Sequence, residues 1–181
     1  MIEVPFTQYG LKFRFVEETD AEFILSLRTD PKLSRYLSDT DADIDKQIKW
    51  IKAYKAREAN NTEYYFMYTD GNDQPLGLCR LYNVDPVTKS YTSGSWLAKS
   101  GIDVLISIKA DLVLMQLAFE TLDLKICNID VRKDNKKMLR YHKQFFNITH
   151  EDDGNVYLKM DYNDFKKKEL YLKSIITPKS N

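Results

Sequence analysis

The sequence predicts a mixed α/β domain, on three observations: short runs in which apolar and polar residues alternate, longer runs with apolar residues three and four apart, and the interleaving of the two kinds along the chain. Leu11-Lys-Phe-Arg-Phe-Val16 alternates as a first strand. Thr19-Asp-Ala-Glu22 reads as a capping box, in which threonine and glutamate satisfy each other's orphan amides, opening a helix that Pro31 closes. A second helix follows Asp41 and Asp43, whose side-chain oxygens suit its first amides; Ile44, Ile48 and Ile51 mark one face, with Trp50 and Tyr54 on a neighbouring stripe. Tyr64 to Thr69 and Leu76 to Val84 read as a hairpin around Asp70-Gly-Asn-Asp73, whose glycine accepts a positive φ.

After the loop Asp85 to Lys89, Tyr91 to Ala98 gives another strand. Ile106, Ala110, Val113, Leu114, Leu117 and Ala118, with Leu112, Met115, Phe119 and Leu122 on a second stripe, predict a helix buried on more than one side. Lys125 to Val131 is a short buried strand that an Asp-Asn turn joins to a helix, and Met138, Tyr141 and Phe145 face a core at helical spacing. Val156, Leu158 and Met160 alternate in a closing strand, and Asn163 opens a last helix bearing Lys166-Lys-Lys168.

A chain of 181 residues with 43% hydrophobic content suits one α/β domain with a core of ordinary size, so residues 1–175 are read as a single domain and 176–181 as a loose tail. The 27 basic and 27 acidic residues cancel, which gives no electrostatic reason to expect broad binding of nucleic acid or an anionic membrane. With no apolar run near 18 residues and a short, mixed amino terminus, the expectation is a soluble cytoplasmic protein. Cys79 and Cys127 lie in apolar strand-like runs and read as buried free thiols; two cysteines and two histidines at unrelated spacings assemble no metal site.

The run Lys125-Ile-Cys-Asn-Ile-Asp-Val131, continued by Arg-Lys-Asp-Asn135-Lys-Lys-Met-Leu-Arg-Tyr141-His-Lys-Gln-Phe-Phe146, resembles the acetyl-coenzyme A half of the GNAT superfamily of N-acetyltransferases. There a strand ending in "V-x-x-x-N" leads into a helix of the form "N-x-x-[AS]-x-x-x-Y-x-[KR]-x-G-F". Asn135, Tyr141, Lys143 and Phe146 are read onto that pattern, and Phe145 stands where the glycine is usual. The order of elements over residues 11–161 matches the same layout. The resemblance implies a mixed, mostly antiparallel central sheet of six to seven strands, about four flanking helices and a splayed central strand pair.

It also implies transfer of an acetyl group from acetyl-coenzyme A to a primary amine, without a metal. Tyr141 is the expected general acid for the departing thiolate, since a phenol of pKa about 10 is a donor of suitable strength for a thiol near 8.5. The cofactor arm is expected along the strand edge at Trp96, Leu97, Ala98 and Lys99, by β-augmentation, with Asn135, Lys137, Met138 and Tyr141 beside it. Its diphosphate is expected at the mouth of the buried helix, Asp103, Val104, Leu105, Ile106 and Ser107. Here the chain departs from the family's "[QR]-x-x-G-x-[GA]": neither motif glycine is present, and Asp103 puts a carboxylate where two phosphates should sit. No general base is legible; His142, about 100° around the helix from Tyr141, and His150, in a turn-like stretch, read as surface or packing histidines, leaving a water relay to Glu63 or Asp85.

Tyr36, Asp39, Trp50, Arg80, Tyr82, Asn83 and Asp85 are the expected acceptor-binding residues. The cast of the chain looks most like acetyltransferases that act on nucleotide-linked amino sugars of surface polysaccharides. Two alternatives stay open: an enzyme for protein amino termini or small amines, and a non-catalytic acyl-coenzyme A-binding or interaction module. A homodimer is compatible with the resemblance; the expected partner is a small-molecule amine.

Overall fold

In the computed structural model the described residues are 2–37 and 40–177, so Asp39, expected in the acceptor groove, lies outside them. Among the described residues, eight strands form one sheet: β1 (Phe6–Gln8), β2 (Leu11–Phe15), β3 (Tyr64–Thr69), β4 (Pro75–Asp85), β5 (Ser90–Ala98), β6 (Ile126–Arg132), β7 (Asn147–Glu151) and β8 (Asn155–Asp161). Their order is β1-β2-β3-β4-β5-β6-β8-β7, and every neighbouring pair is antiparallel except β5–β6. The six or seven strands expected become eight through the three-residue β1 and through β7. His150, expected in a turn, belongs to β7 and stacks on Tyr157 at 4.1 Å.

The helices are α1 (Ala21–Arg28), α2 (Pro31–Ser34), α3 (Ile44–Ala59), α4 (Val104–Gln116), α5 (Lys136–His142) and α6 (Tyr162–Ile176). The entry to α1 is not the Thr19/Glu22 box. Buried Asp20 accepts from the Glu17 amide at 2.8 Å and from both terminal nitrogens of Arg14 at 2.7 Å, so the charge partner on β2 selects it over its neighbour. Pro31 starts α2 at its first turn, with Asp30 accepting from the Lys32 amide. At α3 the cap is Asp43, which accepts from the amides of Asp45 and Lys46 at 2.9 and 3.1 Å, whereas Asp41 pairs with the Lys46 ammonium.

Alternation of side chains places two cores on opposite faces of the sheet. Against α4 and α6 lie Phe13, Phe66, Tyr68, Cys79, Leu81, Tyr91, Cys127, Leu158 and Met160. Against α1 and α3 lie Val16, Ile24, Leu27, Ile51, Tyr54, Tyr65, Met67, Leu78 and Leu97. Both cysteines are buried and free. Helix α4 is buried along Ala110 to Met115 and runs on into a π-helical turn, Leu117–Thr121. Among the described residues no helix is long and apolar enough to cross a membrane, and no group of three or more His, Cys, Asp or Glu is placed to hold a metal ion.

Candidate active site

The central feature is a break in the sheet. Strands β5 and β6 pair only at Ser90↔Ile126, Tyr91↔Cys127 and Thr92↔Asn128, although β5 continues to Ala98 and β6 to Arg132. Beyond Thr92, β5 bends away through a bulge: Gly94 faces Arg80 and Leu97 faces Leu78, so Ser95 and Trp96 together oppose Cys79, and Ser95 has φ 51. The strands therefore splay where the pairing stops.

A cavity of about 550 Å³ fills the splay. Ser93 to Trp96 wall one side and Cys127 to Arg132 the other, with Asp111 and Met115 of α4, Lys168 of α6 and Tyr36 and Leu37 contributing as well. Burial pushes the Cys127 thiol up to about 12, so it is a packing group and not a nucleophile. Two side-chain atoms of this lining, Nδ1 of His142 and Oδ1 of Asn155, are buried without a hydrogen-bond partner. Orphaned polar atoms beside an unpaired strand edge fit an amide-bearing arm such as pantetheine.

Helix α5 meets this cavity with one face. Its N-cap, Asn135, accepts from the Met138 amide at 3.3 Å. Asn135, Met138 and His142 all line the cavity, and positions i, i+3 and i+7 stack on one side of a helix. Tyr141 is turned about 100° from that side. Its hydroxyl donates to Asp111 Oδ2 at 3.2 Å, and the same oxygen receives the Lys168 ammonium at 2.8 Å. Lys168 is 1% exposed and lies over the Tyr141 ring at 5.1 Å. Burial, and then the Asp111 carboxylate, push the Tyr141 phenol well above its ordinary range.

The cause of this exchange is spacing. The family pattern puts its tyrosine seven residues after the asparagine, whereas here Tyr141 is six residues after Asn135 and His142 is seven. The expected general acid thus points at α4, and the histidine read as a surface or packing residue occupies the cavity wall. The signal was in the sequence: seven steps of 100° return to within about 20° of the starting face. Burial, and then Lys168, lower the His142 pKa to about 4, so the ring is neutral near pH 7.

At the mouth of α4, Asp103 acts as N-cap: its side chain accepts from the Leu105 amide at 2.9 Å and its carbonyl from the Ile106 amide at 3.0 Å. Val104 is exposed, and Leu105, Ile106 and Ser107 are half-buried in the first turn. Part of the helix's anion-binding capacity is therefore taken by its own carboxylate. Among the other expected cofactor residues, Trp96 lines the gap, the Lys99 amide is committed to the Leu76 carbonyl at 2.8 Å, the Leu97 carbonyl accepts from the Tyr68 hydroxyl at 3.3 Å, and Lys137 is exposed.

On the α1/α3 side a second cavity, of about 320 Å³, is lined by Arg28, Asp41, Lys46, Gln47, Trp50, Tyr65 and Arg80, and also by Ser95 of the bulge, which borders the first cavity as well. Trp50 and Arg80, both named as acceptor-binding candidates, come together there. Buried Glu63 accepts from Arg57 Nε at 2.6 Å and from Arg80 Nε at 2.7 Å, and the Arg80 guanidinium lies 5.1 Å from the Trp50 ring and 4.7 Å from the Tyr82 ring. Arginine is thereby held in one pose.

The remaining acceptor candidates separate. Tyr36 lines the gap; Tyr82 and Asn83 line a third hollow with Asn128, Asp130 and Tyr157. Asp85 is committed to its own turn, accepting from Thr88 Oγ1 at 2.7 Å and the Val87 amide at 2.8 Å, and these bonds hold its carboxyl below the ordinary range. With Glu63 ion-paired to two arginines and Asp85 closing a turn, neither is free to serve the water relay.

A family model of the acetyltransferase (GNAT) domain matches residues 11–145. No curated protein matches the chain. Among solved structures, apo FdhC, described as a nucleotide-linked sugar GNAT, is 31% identical over 97% of this chain and 100% of its own, with TM-score 0.84. Ribosomal-protein-S5-alanine acetyltransferase from Vibrio fischeri is 14% identical, covering 90% and 99%, with TM-score 0.73. Spermidine N-acetyltransferase from Vibrio cholerae, in complex with CoA and spermine, is 16% identical, covering 88% and 99%, with TM-score 0.72, and these last two show the fold alone. With that domain match and 31% identity across the full length of FdhC, the chain belongs to the GNAT acetyltransferase family.

Proposed function

We propose that this protein is a cytoplasmic N-acetyltransferase that moves an acetyl group from acetyl-coenzyme A to the primary amine of a nucleotide-linked amino sugar. The observation that carries the reading is the meeting of two cavities at one bulge: Ser95 borders both the splayed gap and the arginine-bearing cavity. A thioester entering along β5 and an amine entering from the α1/α3 side would converge there. Acetyl-coenzyme A supplies an activated acyl carbon and a thiolate leaving group.

The chain's own residues position the two ends. The unpaired edge of β5 from Ser93 to Ala98 would hold the arm, with Asn135 and the first turn of α4 beyond it. Arg80, pre-ordered by Glu63 between Trp50 and Tyr82, is suited to a diphosphate through a planar, bidentate fork. Lys46 and Arg80 reach this cavity already paired, Lys46 with Asp41 and Arg80 with Glu63. With Glu63 holding Arg80 through Nε, the rest of the guanidinium fork suits an anionic acceptor better than a polyamine. FdhC's description as a nucleotide-linked sugar GNAT supports the same acceptor class.

A thiol-release assay with acetyl-coenzyme A tests this across nucleotide-linked amino sugars, polyamines and peptide amino termini. Turnover is expected with the first class, with kcat/KM at least roughly a hundredfold above the others, the discrimination expected when a buried charged group must find its partner. Preferential acetylation of spermidine or of a peptide amino terminus would overturn the acceptor, and thiol release with none of them would overturn the activity.

A further inference from the structure

Within the acetyltransferase reading, on which this inference rests, the departing sulfur needs a hydrogen-bond donor inside the gap. The Tyr141 proton is directed at Asp111, on a carboxylate oxygen already paired with Lys168, and its ring leaves the cavity-facing side of α5. His142 takes that side, in register with Asn135 and Met138, with a ring nitrogen buried and unpartnered. We propose that His142, in place of Tyr141, meets the reacting thioester and donates a ring N–H to the sulfur as the carbon–sulfur bond breaks.

The step balances without a further reagent. The amine nitrogen forms a bond to the acetyl carbon and gives up one proton; the electron pair of the carbon–sulfur bond goes to sulfur; the proton ends on sulfur through solvent, and the imidazole is unchanged. A neutral imidazole suffices, because it stabilises charge by hydrogen bonding and does not surrender its proton. Asp111 from α4, Lys168 from α6, Cys127, Asp130 and Arg132 from β6, Tyr141 from α5, and Tyr36 are the titratable or charged groups nearest this ring or sharing its cavity. Asp111 and Lys168 neutralise each other at 2.8 Å. The ring therefore stays a neutral donor across the range in which the acceptor amine loses its proton, and the pH profile should carry no ionisation of His142 between about pH 5 and 9.

The test compares wild type, His142→Ala, His142→Tyr and Tyr141→Phe in thiol release with acetyl-coenzyme A and a panel of UDP-, GDP- and dTDP-linked amino sugars. Ring 15N signals of wild-type His142 and His150 are followed on titration with coenzyme A. His142→Ala is expected to lower kcat roughly a hundredfold with acceptor KM changed less than about threefold, and His142→Tyr to recover to within about tenfold of wild type. Tyr141→Phe should lose at least about tenfold less than His142→Ala. The His142 signals should move with coenzyme A while those of His150, on exposed β7, should not.

A His142→Ala enzyme within about threefold of wild type, or a His142 ring that coenzyme A leaves unmoved, overturns the assignment alone. If His142→Ala does not unfold cooperatively, the wild-type titration decides. A wild-type chain that neither binds coenzyme A nor releases thiol with any acceptor brings down the acetyltransferase reading and this assignment together.

Discussion

Glu63 shows how one buried carboxylate orders a cationic wall: it is 3% exposed and accepts from Arg57 and Arg80 at once. Glu63→Gln removes the charge that fixes Arg80, and because Arg57 is partly solvated the cost should be about 2 kcal/mol, below that of a fully buried pair. Urea unfolding reads the stability, and acceptor KM should rise severalfold while coenzyme A affinity stays put; an unchanged acceptor KM would separate Arg80 from the acceptor. His142 gives the second residue-scale prediction. Its folded pKa of about 4 lies below the usual 6.5, so the unfolded chain binds more protons between those values. This contribution to stability, about 3 kcal/mol in full, is present above pH 6.5 and is lost as pH falls toward 4. Urea midpoints at pH 7 and 5 should differ more in wild type than in His142→Gln; an equal difference would show the ring to be solvated. That Trp50 and Arg80 share one cavity was legible at this scale because their aromatic and cationic character belongs to no core. The side taken by His142 was obscured by a motif aligned from its Tyr-x-Lys end, where counting from Asn135 gives the other residue.

At the scale of elements, Asp103 caps α4 through the Leu105 amide and sets a carboxylate at the positive end of the helix. Asp103→Gly gives up a cap bond at a cost of only a few tenths of a kcal/mol, since glycine is itself tolerated at an N-cap. It also removes repulsion toward a diphosphate, and calorimetry should show coenzyme A binding several times tighter, in keeping with roughly 1 kcal/mol for a charge at a helix end. Weaker binding would mean that the carboxylate is needed to hold the helix mouth in place. Strand β8 was readable from its alternating burial, β3 as a short, fully buried apolar run leading into the Asp70 to Asp73 turn and β4, and α4 from its long buried apolar run. Strand β7 was not: all five of its residues are exposed, so no alternation marks it, and β1 is only three residues long. The capping box was misplaced by two residues because Thr19-x-x-Glu22 satisfies the local rule, whereas the box that forms, Glu17-x-x-Asp20, has its Asp20 carboxylate held by Arg14 as well.

For the whole molecule, α6 lies beyond the family match yet closes the core and the floor of the gap. Phe165 stacks on Phe119 at 4.6 Å, and Lys168 reaches Asp111. Lys168→Met leaves the Asp111 carboxylate facing the cavity without its counter-ion and should cost about 3 kcal/mol in a thermal or urea transition; a loss under about 0.5 kcal/mol would make the pair dispensable. Desolvation opposes the Glu169 carboxylate, but hydrogen bonds from Lys166, Lys173 and Gln116 hold its pKa down at about 2, so its share of stability is present above pH 4.5 and is lost as pH falls toward 2. None of this was visible in Lys166-Lys-Lys168, since a run of like charges gives no sign that its third member is buried against a distant helix. The splayed strand pair, by contrast, followed from the resemblance, and the short β5–β6 ladder has that form. Hydrogen–deuterium exchange of the β5 amides with and without acetyl-coenzyme A tests the central claim most directly. Marked protection of Ser93 to Ala98 on adding the thioester is the expected result, and exchange of those amides unchanged at saturating ligand would contradict it.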